Sequence, residues 1–246
     1  MRVSIIVPVL NEAPIIVGFL RHLRGVAPEA EIIVVDGGSH DGTAELCQHI
    51  ADYFITTPPG RAKQMNAGTK IATGEVFWFV HADSRVAPNA LSAIIDALRD
   101  GMVAGGCFRL RIVPRRWIYF LRDALGNVCV DLFRIALGDR GFFARRENFF
   151  AVGGYPECPL LEDAEFYRHL QTTGGVRQLR PVIETSARRY EALGPFRTSI
   201  FYSFIMALYW CGVPIKALEK MVRWFSSRPP SPGNANIAAS ATVLRS

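Results

Sequence analysis

The chain lacks the signatures of several large protein classes. Its 246 residues contain five cysteines and no CxxC pair, so zinc-finger spacings and a disulfide framework are excluded, and a reducing cytosolic compartment is expected. Neither GxGxxG nor GK[ST] is present, which excludes the dinucleotide-binding and P-loop fingerprints. Without a Lys/Arg run or an RNA-binding signature, the chain is not expected to bind nucleic acid.

The composition instead indicates a folded α/β protein of one domain with at most a small appendage. Half of the residues are hydrophobic, and the chain is long enough to bury a full core. The apolar start of the chain is interpreted as a first strand, since no small-residue cleavage site of a signal peptide follows it. The basic excess lies from position 171 onward, with ten Lys or Arg against three Asp or Glu. Such an excess favours an anionic partner surface, and a membrane suits the interspersed apolar sequence better than nucleic acid does.

The most informative stretch is Gly74–Ser84, GEVFWFVHADS. Its continuous aromatic and β-branched run predicts a strand buried on both faces of a mostly parallel sheet. Ligands of such sheets bind beyond the carboxyl ends of the strands. Asp83, directly after the run, is therefore a candidate metal or phosphate-proximal ligand. The alternative is that Asp83 only caps a helix predicted over 88–99.

Two other predicted strands also end in polar residues. Val3–Val9, with Pro8 near its end, leads into Asn11 and Glu12, and the strand over 31–35 leads into Asp36 and a glycine-rich turn. Because parallel strand ends share one edge of a sheet, these side chains are expected near Asp83. A tight turn explains the glycines but not Asp36.

The segment Arg61–Thr73 has helical spacing and carries Arg61 and Lys63 in its first turn. The positive end of the helix dipole disfavours cations unless an anion binds there. A bound polyanion is one interpretation, and ordinary solvated charge is the other.

A second helix start carries two acids. Glu162 and Asp163 begin a helix predicted to run to about Thr172, where carboxylates are favoured by the helix dipole. A general base must be held rigidly within hydrogen-bond reach of its proton. The pair meets that requirement, although N-capping alone would explain one of the two.

The remaining elements are predicted from periodicity. Alternation over Gly105–Ile112 is typical of an edge strand, and Gly175–Thr185 resembles a short strand pair that turns at Pro181. The segment Pro114–Leu137 is an amphipathic helix or helix pair that either lines an acceptor groove or packs on the core.

The C-terminal region divides into two parts. Residues 191–225 form an apolar and basic helical segment, uncharged from Thr198 to Pro214, that is shorter than a spanning helix requires. It either lies on a membrane face or docks on the protein's own sheet. Residues 226–246, rich in Ser, Pro, Ala and Asn, are expected to be disordered.

Over residues 1–190 the chain resembles the family 2 glycosyltransferases of the GT-A (Rossmann-like) fold. Six segments match in the family's order and approximate spacing: SIIVPVLNEA, IIVVDGGSHDGT, GRAKQMNAGTKIATGE, FVHADS, GDRGFFARRENFFAVGGYPE and LLEDAEF. Three signatures, RAKQMNAG, HADS and GDxGxFxRR, are most similar to a bacterial subgroup often labelled arsenosugar-type or radical-SAM/selenodomain-associated transferases.

The resemblance implies roles for the candidate residues. The base and ribose of a nucleotide-sugar donor, with UDP favoured, would be held by Pro8, Asn11, Glu12 and Asp36. Arg61 and Lys63 would lie nearer the pyrophosphate. Asp83 would be the last residue of the DxD element and would bind Mn²⁺ or Mg²⁺. Asp163 would be the catalytic base, and Glu162 would orient it or contact the acceptor.

Two departures from the family pattern qualify this expectation. His81 stands where the first Asp of DxD is usual, which puts strong metal binding in doubt. The QxxRW element of processive members is missing, which favours transfer of a single sugar to a hydroxyl acceptor. The expected protein is a cytoplasmic, metal-dependent, inverting transferase, peripheral on the inner membrane face if residues 198–225 contact lipid. The alternatives are a membrane-docked binding protein with a degenerate site and a sugar nucleotidyltransferase, although PVLNEAP replaces the glycine-rich loop that the latter requires.

Overall fold

The computed structural model describes residues 1–227, apart from the side chain of Arg189. One eight-stranded sheet has the order β3-β2-β1-β4-β7-β6-β8-β5. The strands have the following bounds: β1 Val3–Val9, β2 Glu31–Asp36, β3 Tyr53–Thr56, β4 Val76–Phe79, β5 Ser84–Val86, β6 Val103–Val113, β7 Phe143–Arg145 and β8 Gly175–Ser186. β7 runs antiparallel to β4 and β6, and β5 runs antiparallel to β8, whereas the other neighbours are parallel.

Helices cover both faces of the sheet. Their bounds are α1 Ala13–Val26, α2 Thr43–Cys47, α3 Arg61–Ile71, α4 Ala90–Ala97, α5 Trp117–Phe133, α6 Arg146–Ala151, α7 Glu162–Leu170, α8 Arg188–Leu193, α9 Pro195–Trp210 and α10 Ile215–Ser226. Neighbouring residues along a strand point to opposite faces, so Ile5 joins one buried cluster and Ile6 joins the other. The α/β fold with a sheet buried on both sides is confirmed.

Two strand predictions were wrong. Residues 103–113 form an interior strand, β6, which pairs with both β7 and β8. Its alternating charges arise because Arg109 and Arg111 lie beyond the part of β6 that β7 covers. Residues 175–186 form one long strand, not a hairpin at Pro181, since the register shifts between Phe108 and Arg109 and absorbs the irregularity.

The structure excludes one of the two interpretations of Asp83. Asp83 is followed by the short strand β5, and the next helix, α4, begins only at Ala90. Asp83 is therefore not a helix cap. Both β5 and β7, three residues each, were missed because so few residues carry no detectable periodicity.

The first prediction concerns the tight centre of the sheet. A Cβ on Gly106 would lie 2.0 Å from the Arg177 carbonyl oxygen and 2.9 Å from the Phe143 ring. Because β6 is bonded on both sides there, the backbone has no room to move. We expect Gly106→Ala to lower the free energy of unfolding by about 3 kcal/mol or more, measured by chemical denaturation.

The matched control for this substitution is Gly101→Ala. No atom lies within 4 Å of the Cβ that this change would add. We expect its effect to stay within about 0.5 kcal/mol. Equal stability of the two variants would contradict the close packing of β6.

The C-terminal segment forms α9 and α10, which confirms its helical character. Among residues 1–227, no helix is long and apolar enough to cross a membrane. The predicted tail over 226–246 lies almost wholly outside the described residues.

Candidate active site

The loops after β1 and β2 interlock at the carboxyl edge of the sheet. The backbone N–H of Asn11 donates to Ser39 Oγ at 2.8 Å, and the N–H of His40 donates to Asn11 Oδ1 at 2.9 Å. Asn11 adopts a positive φ of 54°, a conformation that Asn tolerates better than most residues. These bonds place Asn11 and Glu12 at the crevice as the sequence predicts.

Asp36 is buried at the end of β2. Its carboxylate accepts hydrogen bonds from the backbone N–H groups of Gly38 and Ser39, each at 2.9 Å. The carboxylate thus fixes the glycine-rich turn. Contact of Asp36 with a nucleotide stays a prediction.

Gln64 holds two strand ends together and was missed by sequence reasoning. Its side-chain amide donates to the carbonyl oxygens of Val9 and Val35, both at 2.8 Å. Beside these bonds, Pro8 lies opposite Val35, past the last pair that β1 forms with β4. A proline is tolerated there because β4 needs no N–H from it. The only available signal was a polar residue on the apolar face of α3.

A cluster of carboxylates gathers around Arg61. Arg61 forms an ion pair with Asp139 at 3.1 Å, and His81 Nε2 lies 3.3 Å from the same Asp139 oxygen. Asp139, then Glu162, Asp163 and Asp83, raise the pKa of Arg61. The structure therefore brings Asp83 and the pair on α7 toward one cation. Lys63, two residues further on, is exposed, as part of the Arg61 side chain is.

Asp139 was not assigned a role from the sequence. It lies in the segment between α5 and β7 and belongs to the GDRGFF motif. Because the motif is rich in both Gly and Arg, its sequence is equally typical of an ordinary surface loop. His81, which replaces the usual first Asp of DxD, points its side chain toward Asp139.

Asp163 has an environment suited to proton transfer. It is buried, and its Oδ1 has no hydrogen-bond partner among residues 1–227. Burial raises its pKa well above the usual value, and the charges of Glu162 and Asp139 raise it further, while Arg61 partly offsets them. A carboxylate in this environment binds a proton more tightly than an exposed aspartate does.

Asp83 is also perturbed, but less strongly. Burial, followed by the charge of Asp139, raises its pKa to about 6, and Arg61 acts in the opposite direction. Asp83 therefore changes its charge near neutral pH, where exposed aspartates are fully ionised.

Arg188 is a second cation at the crevice, and the sequence indicated it only as part of the basic excess after position 171. Its guanidinium lies 3.3 Å from a carboxylate oxygen of Glu12. Burial raises the pKa of Glu12, and Arg188 partly offsets that effect. This pair joins the start of α8 to the loop after β1.

The site offers oxygen donors for a hard cation without a preformed cage. Among residues 1–227, no group of three or more His, Cys, Asp or Glu side chains is arranged to hold a metal ion. Asp83 and Asp139 lie close enough for the charge of one to raise the pKa of the other. Carboxylates suit Mg²⁺ and Mn²⁺, and such ions commonly take their remaining ligands from water and substrate phosphates. The residues present therefore fit a divalent ion carried by the donor.

The mixed sheet between helices, with acids and arginines at the carboxyl ends of its central strands, is a GT-A-type fold. Residues 4–152 match the sequence profile of glycosyl transferase family 2, and the chain belongs to that family.

Curated relatives include two lipid-phosphate sugar transferases. Polyprenol monophosphomannose synthase of Mycolicibacterium smegmatis is 32% identical over 118 residues, which cover 41% of this chain and 42% of the relative. Dolichol-phosphate mannosyltransferase of Pyrococcus furiosus is 28% identical over 166 residues, which cover 60% of this chain and 47% of the relative. The chain thus spans less than half the length of these relatives.

Solved structures share the fold at low sequence identity. The mannosyltransferase PcManGT from Pyrobaculum calidifontis, in complex with GDP-Man and Mn²⁺, has a TM-score of 0.62 and 21% identity, covering 100% of this chain and 70% of its own. TarS of S. aureus, in complex with UDP-GlcNAc, has a TM-score of 0.61 and 18% identity, covering 76% and 58%.

Proposed function

We propose that the chain transfers one sugar from a nucleotide-diphosphate sugar to an acceptor in the crevice beyond β1, β2 and β4. The observation that carries this proposal is the convergence of Asp83, Asp139, Glu162 and Asp163 on Arg61. Four carboxylates around one arginine are costly to keep together unless the site binds charged groups. A diphosphate with a divalent ion supplies groups of both signs.

The donor would extend from the nucleotide pocket to the cations. Pro8, Asn11, Glu12 and Asp36 would hold the base and ribose, with Lys63 at the rim. Arg61 and Arg188 would contact the diphosphate, where a planar guanidinium forms paired hydrogen bonds with phosphate oxygens. UDP is the favoured nucleotide by resemblance, and the solved neighbours are bound to either UDP-GlcNAc or GDP-Man.

The divalent ion would be held by Asp83 together with Asp139. When bound, it would neutralise the charge that develops on the leaving diphosphate. His81 contacts Asp139, so it would orient this carboxylate in place of the missing first Asp of DxD. Mn²⁺ is present in the PcManGT structure, which supports the choice of ion.

Asp163 would accept the proton of an acceptor hydroxyl as the new bond forms. Its raised pKa provides the basicity that this step needs. Glu162, one residue before it, would orient the base or contact the acceptor. With base and leaving group on opposite sides of the anomeric carbon, displacement is direct and inverts the product.

A hydroxyl acceptor and a phosphate acceptor make different chemical demands on the site. A hydroxyl needs Asp163 as base, whereas a lipid phosphate, as in the names of the curated relatives, is already ionised and needs none. The burial and proton affinity of Asp163 favour the hydroxyl. A lipid carrying that hydroxyl remains compatible with the basic C-terminal segment.

Several finer assignments rest on sequence alone. The arsenosugar-type subgroup is proposed from RAKQMNAG, HADS and GDRGFFARR. Localisation in the cytoplasm, at the inner membrane face, stays a prediction, as does membrane contact of residues 198–225. A binding protein with a degenerate site is the remaining alternative, since His81 departs from the DxD pattern.

Nucleotide release from NDP-sugars tests the proposal. The purified chain is incubated with UDP-, GDP- and dTDP-sugars, with and without Mn²⁺, and free nucleotide is measured. We expect slow, metal-dependent release from one nucleotide class, because water replaces the acceptor. No release from any donor by folded protein would favour the binding protein.

A further inference from the structure

Helix α5 exposes a continuous apolar stripe. The stripe consists of residues three or four positions apart, which therefore share one face of the helix: Trp117, Leu121, Leu125, Val128 and Leu132. Their exposed fractions run from 48% to 70%. Of the two interpretations of this helix, packing of the stripe on the core is therefore excluded. The helix packs on the protein through Tyr119 and Val130 instead, and the stripe is not covered by residues 1–227.

Helix α9 exposes a second stripe with the same spacing. Phe196, Ile200 and Phe204 lie four residues apart and are 49%, 67% and 50% exposed. The helix is uncharged from Thr198 to its end at Trp210. The exposed stripe is apolar, whereas the buried residues of the helix are Thr198, Ser199 and Ile205.

The two stripes lie side by side. At the start of both helices the Trp117 and Phe196 rings are 5.3 Å apart, and at their ends the Phe133 and Trp210 rings are 5.0 Å apart. The helices therefore run in parallel along their whole length. We call the stripes of α5 and α9 together the apolar platform.

The platform carries no exposed unpaired acid of its own. The two carboxylates of α5 are placed elsewhere: Asp123 is buried, and Asp131 pairs with Arg109 at 3.2 Å. Exposed cations lie on the adjoining segments, with Arg115 just before α5 and Lys216 and Lys220 on α10. α10 packs on α9 through the Phe225 and Phe201 rings, whose centroids are 3.8 Å apart.

We propose that the apolar platform docks the protein on an anionic bilayer, with α5 and α9 lying in the plane of the interface. Large contiguous apolar patches on a monomer mark binding surfaces. Apolar helices with aromatic residues and flanking cations suit the lipid headgroup region. The helix α5 carries Arg122, Asp123 and Asp131 within its 17 residues, whereas a spanning helix is predominantly apolar over about 20 residues. An in-plane position leaves these charges away from the lipid.

The basic residues near the apolar platform distinguish between two occupants, a bilayer and a second copy of the chain. A two-fold contact would bring the same basic surface of both copies together, and like charges across an interface are unfavourable. Anionic headgroups complement Arg115, Lys216 and Lys220 instead. Charge complementarity therefore favours a lipid surface over a second copy of the chain.

Hydrogen bonds connect the apolar platform to the segments that carry the site residues. Tyr209 of α9 donates a hydrogen bond to Glu165 of α7, the helix that begins with Glu162. Asn127 of α5 accepts one at 2.7 Å from Arg140, the neighbour of Asp139. A docked bilayer would therefore lie against the elements that position the carboxylates. This extension rests on the proposed function: the acceptor would be presented by a membrane lipid.

Vesicle binding tests the platform directly. The full chain is sedimented with phosphatidylcholine vesicles and with vesicles that also contain phosphatidylglycerol. We expect binding to the anionic vesicles that weakens with added salt. Leu125→Glu/Leu132→Glu should lower the bound fraction at least about tenfold, since it places two charges in the apolar interface.

Met102→Glu is the matched control, since Met102 is 78% exposed on the turn before β6, outside the platform. It should bind vesicles as the unmodified chain does. Equal binding of the double variant, or no binding by the unmodified chain, would overturn the proposal. A dimer that the double variant dissociates, without vesicle binding, would assign the platform to a second copy and overturn it as well.

Two further measurements keep the test specific. Thermal unfolding should show all three proteins folded, because the substituted side chains are exposed. Binding of NDP-sugars should be unchanged in the double variant, so that loss of docking is distinguished from loss of the donor site. Failure of donor binding in every protein would count against the proposed function and leave the docking result intact.

Discussion

Asp163→Asn is expected to lower sugar transfer by about 10³-fold while donor binding is retained. The amide keeps the size of the side chain but cannot accept the proton of the acceptor, and general-base catalysis contributes about 10²–10⁴-fold in rate. Because Asp163 is buried with an oxygen that lacks a hydrogen-bond partner within residues 1–227, the neutral amide should not destabilise the fold strongly. Transfer rate and donor affinity are measured on the same preparation.

Asp96→Asn makes the same chemical change on the surface of α4, where Asp96 is 63% exposed. It should leave transfer unchanged. If Asp163→Asn kept full turnover, the base assignment would be wrong. That result would point to an acceptor that needs no deprotonation, such as a phosphate.

Asp83→Ala is expected to weaken metal-dependent donor binding by about 100-fold. Removing a carboxylate ligand leaves the ion with Asp139 and the donor phosphates, and charge neutralisation by such an ion is worth several kcal/mol. Calorimetry with an NDP-sugar, with and without Mn²⁺, measures the loss. Asp96→Ala is the control, and a metal effect of unchanged size in Asp83→Ala would place the ion elsewhere.

The pH dependence of donor binding provides a separate prediction for Asp83. Its pKa is raised to about 6, and a metal ligand must be deprotonated to bind. Metal-dependent binding should therefore be constant above that pKa and fall as the pH drops through 6, by about tenfold per unit for one proton. Asp83→Ala should remove this fall. A wild-type profile that stays flat down to pH 4 would contradict the role of Asp83.

Much of the fold follows from local signals. The strands β1, β2 and β4 are continuous apolar runs, and each ends at a polar residue that the structure places at the crevice. The bounds of β1 agree with the prediction residue by residue, whereas the helix predicted over 88–99 is shorter, at Ala90–Ala97. Long buried elements are predictable because burial dictates their composition.

Interior position and pairing were not predictable from the sequence. The residues of β6 alternate like an edge strand, yet its two glycines at 105 and 106 allow β7 and β8 to approach from both sides. Asp139 and Arg188 acquire their roles from partners 58 and 176 residues away, His81 and Glu12. Contacts between residues so far apart in the sequence leave no periodic pattern in the chain.

The exposed stripe of α5 shows a further limit. The spacing of its apolar residues is the same whether a helix packs on a core or faces a membrane. Only the position of α5 beside α9, on the outer surface, separates the two interpretations. The amphipathic helix was therefore predictable from the sequence, but the surface that its apolar face contacts was not.

Thermal stabilisation by NDP-sugars with Mn²⁺ or Mg²⁺ tests the central claim most directly. A ligand that binds only the folded state raises the apparent Tm by mass action. We expect a metal-dependent increase with one nucleotide class, strongly reduced in Asp83→Ala and retained in Asp163→Asn. No increase with any donor, in protein shown to be folded, would contradict the assignment of this crevice as a nucleotide-sugar site.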